Sequence, residues 1–469
     1  MTMTDSQPDK KIPVAANTLA VGVVGLDLDD KDVPRKQVVS WALWDWATQP
    51  FNSVILTFVF ASLYLVSDSF LPADIAALPE GNATREAALG QLSAGYGWAT
   101  TAAGILILLL APVLGQRADA SGRKKRFLLL FTALLAVVQF ALFFAYADPA
   151  YFWYGAIVLA LGAVVNEIAG VNYNAMLVQV SNRSTVGKVS GLGWGLGYIG
   201  GIVALVIVVL LNQFEWFGLD TSNGLAYRLI AVGAAVWTIV FSLPLFFNVP
   251  EAPPAGVHQR GIGFFRSYVV LVKDVIALYR EPTTRPTFWF LLASAIYRDG
   301  LAGVFAFGGI LAAVAFGFTD NEVILFGIAA NLVAGVSTIF AGRVDDRVGP
   351  KAVILFALFG LVIMAVLVFA LHDTGTLVFW IGGLILSGFV GPAQAASRSL
   401  LARVTPTGRQ GEIFGLYATT GRVASFLSPA LWAAFITIFG ATIFGVLGIA
   451  LVLLVGAILM VFVRVPKFR

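Results

Sequence analysis

Six ionisable residues, Asp45, Glu167, Arg298, Asp299, Arg398 and Arg422, stand inside long runs of apolar side chains. A charge in such a run costs about 3 kcal/mol or more unless it meets a partner or a water-filled cavity, so these six are the first candidates for chemistry. The acids Asp45 and Glu167 fall in the first half of the chain, and the three arginines, with Asp299, in the second. That split suits a small zwitterion. Its ammonium would meet Glu167 or Asp45, helped by the aromatic faces of Trp44, Trp46 or Trp194, and its carboxylate would be taken by the planar fork of Arg298 or Arg422. An anionic metabolite needs the arginines alone. A third reading has these charges pairing across helices as locks.

Helical spacing gives the charges polar neighbours. Asp45, Thr48 and Asn52 share one face, as do Glu167, Gly170 and Asn174, and Gln394 lies one turn from Arg398. Counted along their helices, Glu167, Arg298 and Arg422 fall near the middle of a bilayer, with Asp45 and Arg398 closer to its inner side. Glu167 is the first candidate to carry a coupling proton, Asp45 the second and Asp299, next to Arg298, the third. The alternative for Glu167 is a permanent bridge to an arginine. The chain has no Gly-x-x-x-x-Gly-Lys-(Ser/Thr) loop and no His-Glu-x-x-His helix, which argues against an ATP-driven machine and against an enzyme of the intramembrane metalloprotease type.

The elements that position these residues are apolar helices. Of the 469 residues, 59% are hydrophobic and 12% charged, against about 25% charged in soluble domains, so lipid is the expected solvent. There is no cysteine, and His258 and His372 are the only histidines, which leaves no disulfide, no thiol chemistry and no expected metal or other cofactor. A net charge of +4 spread over loops offers no nucleic-acid face. Runs of spanning length predict twelve transmembrane helices, near 37–66, 91–116, 125–147, 151–180, 187–212, 225–248, 286–316, 320–342, 351–372, 375–403, 411–438 and 441–464. The fold class is therefore an all-α integral membrane protein of two six-helix halves, 36–248 and 286–469. Residues 1–35 read as a disordered cytoplasmic tail, and 249–285 as a cytoplasmic linker with a helix on the membrane surface. The basic residues collect in the loops on the side of the termini, leaving Arg85 and Arg228 opposite, which makes both termini cytoplasmic and the loop 67–90 external.

The halves repeat one another. Gly115-Gln-Arg-Ala-Asp119-Ala-Ser-Gly122-Arg123-Lys124 recurs as Gly342-Arg-Val-Asp-Asp346-Arg-Val-Gly349-Pro350-Lys351, 227 positions on. Ser190-Gly191-Leu192 matches Phe414-Gly415-Leu416 at 224, which sets Asn174 on Arg398, and Trp44-Asp45 matches Tyr297-Arg298 at 253. Parallel repeats of this kind build two-fold transporter folds around a midplane site. In the hairpins, Asp119 and Asp346, with Arg123 and Lys351, are the expected gating residues, as latches that form and release with each state. The glycine stripe of the fifth helix, Gly191 to Gly201, is expected to slide against a helix of the other half.

The two Gly-x-x-x-Asp-x-x-Gly-(Arg/Pro)-Lys hairpins resemble the inter-helix signature of the major facilitator superfamily. Trp41-Ala-Leu-Trp-Asp45-Trp46-Ala47, Tyr173-Asn174-Ala175, Val189-Ser-Gly-Leu-Gly193-Trp194-Gly-Leu-Gly197-Tyr198-Ile-Gly-Gly201, Gln394-Ala-Ala-Ser397-Arg398-Ser-Leu400 and Phe414-Gly-Leu-Tyr417 resemble its vacuole-effluxer, autophagy-related branch. The resemblance implies a secondary transporter working by alternating access, with members linked to amino-acid export from the yeast vacuole. The candidate substrate-binding residues are then Trp44, Asp45, Asn52, Glu167, Asn174, Trp194, Tyr198, Tyr297, Arg298, Gln394, Arg398, Tyr417 and Arg422. The expected partners are a small-molecule substrate, the lipid bilayer and a proton. The chain is expected to act as a monomer in a bacterial inner membrane, a vacuolar membrane being the lesser alternative; a membrane sensor with this fold is the other class of function.

Overall fold

The computed structural model describes residues 32–121, 123–181, 186–251, 269, 272–273, 276–282, 284–404, 416–417, 420–421 and 423–464. Arg422 and the side chains of Asp119, Trp194 and Asp346 lie outside the described residues. The described residues are helical, with no strand among them. We number the long helices α1 (Arg35–Leu65), α2 (Ala83–Ser121), α3 (Lys124–Ala141), α4 (Phe152–Ala175), α5 (Val186–Gln213), α6 (Leu225–Asn248), α7 (Arg285–Ala315), α8 (Asp320–Val348), α9 (Pro350–Ala370), α10 (Thr376–Val404), α11 (Leu427–Phe439) and α12 (Gly445–Phe462). Eleven are long and apolar enough to cross a membrane. The remaining one, α11, is the short later part of the span expected at 411–438, whose earlier residues are described only in part.

Local chemistry explains the element ends. Pro50 lacks an amide hydrogen, and after it α1 continues as π-helix over Phe51–Phe58 and Phe60–Leu65, with Thr57 Oγ1 donating to the Asn52 carbonyl at 2.8 Å. The second span starts earlier than its apolar run because Asp68 accepts from Arg85 Nε (3.2 Å) and Nη2 (2.5 Å), anchoring two further turns. A capping box of Thr319 and Glu322 opens α8, and Gly349, at φ 88°, ends it one residue before Pro350 starts α9.

Lys351 has a structural task. Its Nζ donates to the carbonyls of Val461 (2.9 Å) and Val463 (2.6 Å), closing the end of α12. Lys125 does the same for α6 through Phe246 (3.2 Å) and Val249 (2.8 Å), so each hairpin ties two outer helices together at one end. Arg123 is exposed just before α3.

Helices α1, α5 and α6 pack together, as do α2 with α4 and α3 with α4 and α6; in the second half α7 packs on α10 and α12, α8 on α10, α9 on α10 and α12, and α11 on α12. Of the fifth-helix glycines, Gly193, Gly197, Gly200 and Gly201 face their own half, although α5 itself meets α8 of the other. Gly193, Gly197, Gly200 and Gly201 lie against α1 at Asp45, Trp46 and Ser53, because α1 and α5 belong to one packed group. The seam between the halves sets α5 against α8 and α1 against α7, and its glycine contacts come from α2: Gly90, Gly97 and Gly104, seven residues apart, face α11 and its flanks so closely that a Cβ would stand 3.0 Å from the Gly440 carbonyl, 2.9 Å from Trp432 and 2.8 Å from the Ser425 carbonyl. At the end away from the hairpins Tyr227 of α6 also donates to Asp320 of α8. In the linker, Val269, Val272, Ile276 and Tyr279 are all exposed at helical spacing.

Candidate functional site

A cavity of about 240 Å³ opens between α1, α4 and α5. Its walls are Trp44, Asp45, Thr48, Gln49, Asn52, Asn166, Glu167, Gly170, Tyr173, Asn174, Gly197 and Tyr198. Such a polar lining at membrane depth is stable only with water or a polar ligand inside, or with its groups bonded to each other. Part of it is bonded. Asn166 Nδ2 donates to Asn52 Oδ1 at 3.0 Å, Gln49 Nε2 to Ser53 Oγ at 3.2 Å, and the Tyr173 hydroxyl to Asp45 Oδ2 at 3.0 Å.

Tyr173 cannot easily move. Its ring lies between Trp41 (centroids 4.3 Å apart) and Trp44 (4.4 Å), both nearly parallel to it. Trp41 donates to the Tyr173 carbonyl at 3.2 Å and Trp44 to Thr132 Oγ1 at 3.0 Å, so two tryptophans one helical turn apart fix the tyrosine that fixes Asp45. Gly193 makes this possible, since a Cβ there would come within 2.8 Å of the Tyr173 oxygen and 3.0 Å of Asp45 Oδ2. Trp44 therefore shows the cavity only what Tyr173 leaves uncovered. Trp46 does not face it: its ring stacks on Trp237 at 5.4 Å, on the side of α1 that meets α6.

The second half offers a cation. Arg298 lies with its guanidinium carbon 4.0 Å from the centre of the Tyr417 ring, and Nη1 donates to the Tyr417 carbonyl at 3.0 Å. It has no carboxylate partner among the described residues. A Cβ on Gly421 would stand 2.8 Å from Nη1, so that glycine makes room for the fork. The repeat is spatial as well as sequential. The shift that sets Asn174 on Arg398 sets Gly193 on Tyr417 and Gly197 on Gly421, and just as Asp45 lies against Gly193 and Gly197, Arg298 lies against Tyr417 and Gly421.

Other candidates fall differently. Tyr297 is fully buried with its hydroxyl 2.6 Å from Ser397 Oγ, so it packs behind the site rather than lining it. Asp299 is buried and accepts from the Ser428 amide at 2.5 Å, which spends it on α11. Gln394 is half-buried and Arg398 is exposed. Gln49 and Asn166 were not expected. Both signals were present, since Gln49 is one turn beyond Asp45 and Asn166 adjoins Glu167.

Residues 178–469 match the family described as vacuole effluxer Atg22 like. An MFS-type transporter of Bacillus subtilis, YxiO, itself described as uncharacterized, is 28% identical over 449 residues, covering 91% of this chain and 95% of that one. Autophagy-related protein 22 of Cryptococcus neoformans is 24% identical over 261 residues, 52% of this chain and 47% of that protein. Among solved structures, the nucleoside transporter NupG superposes with a TM-score of 0.61 over 91% of this chain and 99% of its own, at 14% identity, a likeness of fold alone.

Proposed function

The chain belongs to the vacuole effluxer Atg22-like family of major facilitator transporters, and from that premise we propose that it carries an amino acid or related zwitterion by proton-coupled alternating access. The observation that carries this reading is the unlike charge at equivalent places in the two halves, Asp45 against Gly193 and Gly197, Arg298 against Tyr417 and Gly421. Glu167 and Asp45 line a polar cavity fit for an ammonium, and Arg298 has a free edge for a carboxylate among the described residues.

In this reading Glu167 also carries the proton, twelve helices cross the membrane, both termini and the hairpins are cytoplasmic, and Asp119 and Asp346 latch that side. The chain works as a monomer in a bacterial inner membrane, residues 1–35 are a cytoplasmic tail, and the linker 249–285 rests its exposed apolar face on the lipid surface. The bacterial relative supports that location.

Purified protein in proteoliposomes provides the test. Labelled amino acids should accumulate when an inward or outward pH gradient is imposed and should stop accumulating when an ionophore collapses it. Absence of uptake and of exchange for every amino acid tried would refute the substrate assignment.

A further inference from the structure

We propose that Arg298 and Asp299 clamp an interruption of the eleventh span from both sides, and that this interruption is the hinge through which an anionic group held by Arg298 moves that span. The second half of the proposal rests on the amino-acid reading above.

The backbone accounting locates the interruption. Residues 416–417, 420–421 and 423 are helical, 424–426 form a turn, and α11 starts again at Leu427. Every amide hydrogen at this depth needs an acceptor, because no bulk water is present to supply one. Leu427 donates to the Ala424 carbonyl (3.0 Å), Pro429 has no amide hydrogen, and Ala430 donates to the Phe426 carbonyl (3.0 Å). The Ser428 amide is left. Phe426, at the N-cap position, has no side-chain oxygen to offer, so Asp299 of α7 accepts that bond at 2.5 Å.

Its neighbour Arg298 holds the segment before the break, about two turns from it, donating from Nη1 to the Tyr417 carbonyl at 3.0 Å. The sign suits the helix end on the Asp299 side, an anion at the start of the segment that begins at Leu427. Arg298 keeps its Nε and Nη2 donors without partners among the described residues. An anion bound there is tied to α7 and, through the same side chain, to the segment before the break. Among the described residues the first half shows no such device, since α5 runs unbroken over Val186–Gln213 and Trp46 stands where Asp299 does, packed on Gly200.

Two substitutions separate a cap from a proton carrier. Asparagine caps helices nearly as well as aspartate, so Asp299→Asn should keep amide-exchange protection over residues 424–430 and keep gradient-driven accumulation. Asp299→Leu should exchange there roughly 5- to 30-fold faster and lose transport. Accumulation lost in Asp299→Asn with protection unchanged would overturn the clamp in favour of a proton role, and protection unchanged in Asp299→Leu would also overturn it. If the leucine variant does not fold, the asparagine variant decides alone. The exchange arm needs no substrate, so it tests the clamp even if the amino-acid reading fails. For the hinge, a mixture of amino acids at millimolar concentration should change exchange over 424–430 in the wild type and not in Arg298→Gln. Binding by the wild type with no such change overturns the hinge.

Discussion

The halves of this transporter are copies that have diverged in how firmly they hold their central charge. In the first, Asp45 is fixed by a tyrosine that two tryptophans clasp, beside a continuous α5. In the second, Arg298 stacks on one tyrosine and holds the carbonyl of an interrupted span. The contrast teaches that repeat symmetry preserves the residues against which the central charge lies while the support behind them is free to differ, rigid on the acid side and hinged on the arginine side.

The strongest way to break this comparison is on the acid side. Glu167→Gln should abolish accumulation driven by a pH gradient while leaving counterflow exchange that does not respond to pH. If accumulation survives in proteoliposomes, the acid half binds without coupling. Next in size is the cation: hydrogen bonds to a charged group contribute about 1.5 to 3 kcal/mol each, so Arg298→Gln should weaken substrate binding about 10- to 100-fold. Arg298→Lys, which keeps charge but loses the fork, should fall between. Equal affinities of wild type and Arg298→Gln in a competition assay would remove Arg298 from the site.

The paired glycines sharpen the contrast itself. Gly193→Ala drives a methyl group against a clasped tyrosine and should lower stability by about 1 to 3 kcal/mol, read as a lower melting temperature. Gly421→Ala meets the tip of a movable arginine; it should leave melting nearly unchanged and weaken binding. Identical melting shifts would contradict the claim that one side is rigid and the other is not. Smallest is the far end of the seam, where Tyr227→Phe removes a single bond to Asp320, worth about 1 kcal/mol. Labelling of single cysteines introduced along the α2 seam should rise by about fivefold; an unchanged rate would mean that the glycine contacts alone keep that end shut.

Much of this is legible in the chain because charges inside apolar runs are costly and therefore rare. Asp45, Glu167 and Arg298 stand out for that reason, and the hairpin repeat announces the two halves. Neutral amides carry a lower penalty, so Gln49 and Asn166 stand out less, although helical spacing points to Gln49. Orientation about a helix axis is harder to read. Trp46 and Tyr297 adjoin charged residues in sequence yet turn into the protein, and the glycines of α5 serve α1, while the heptad Gly90, Gly97 and Gly104 that closes the seam has no charge to mark it. Asp299 is least readable of all, since its role depends on a break inside a span that counting by length carries from 411 to 438 as one helix.

The central claim, that one solute is shared between an acid half and an arginine half, is tested most directly by removing one charge at a time from the solute. Binding to the wild-type protein would be measured for the amino acid that uptake selects, for its methyl ester and for the same molecule without its amino group. Both analogues should bind at least about tenfold more weakly than the parent, the loss expected for one charged contact each. An ester that binds as tightly as the free amino acid would contradict that claim.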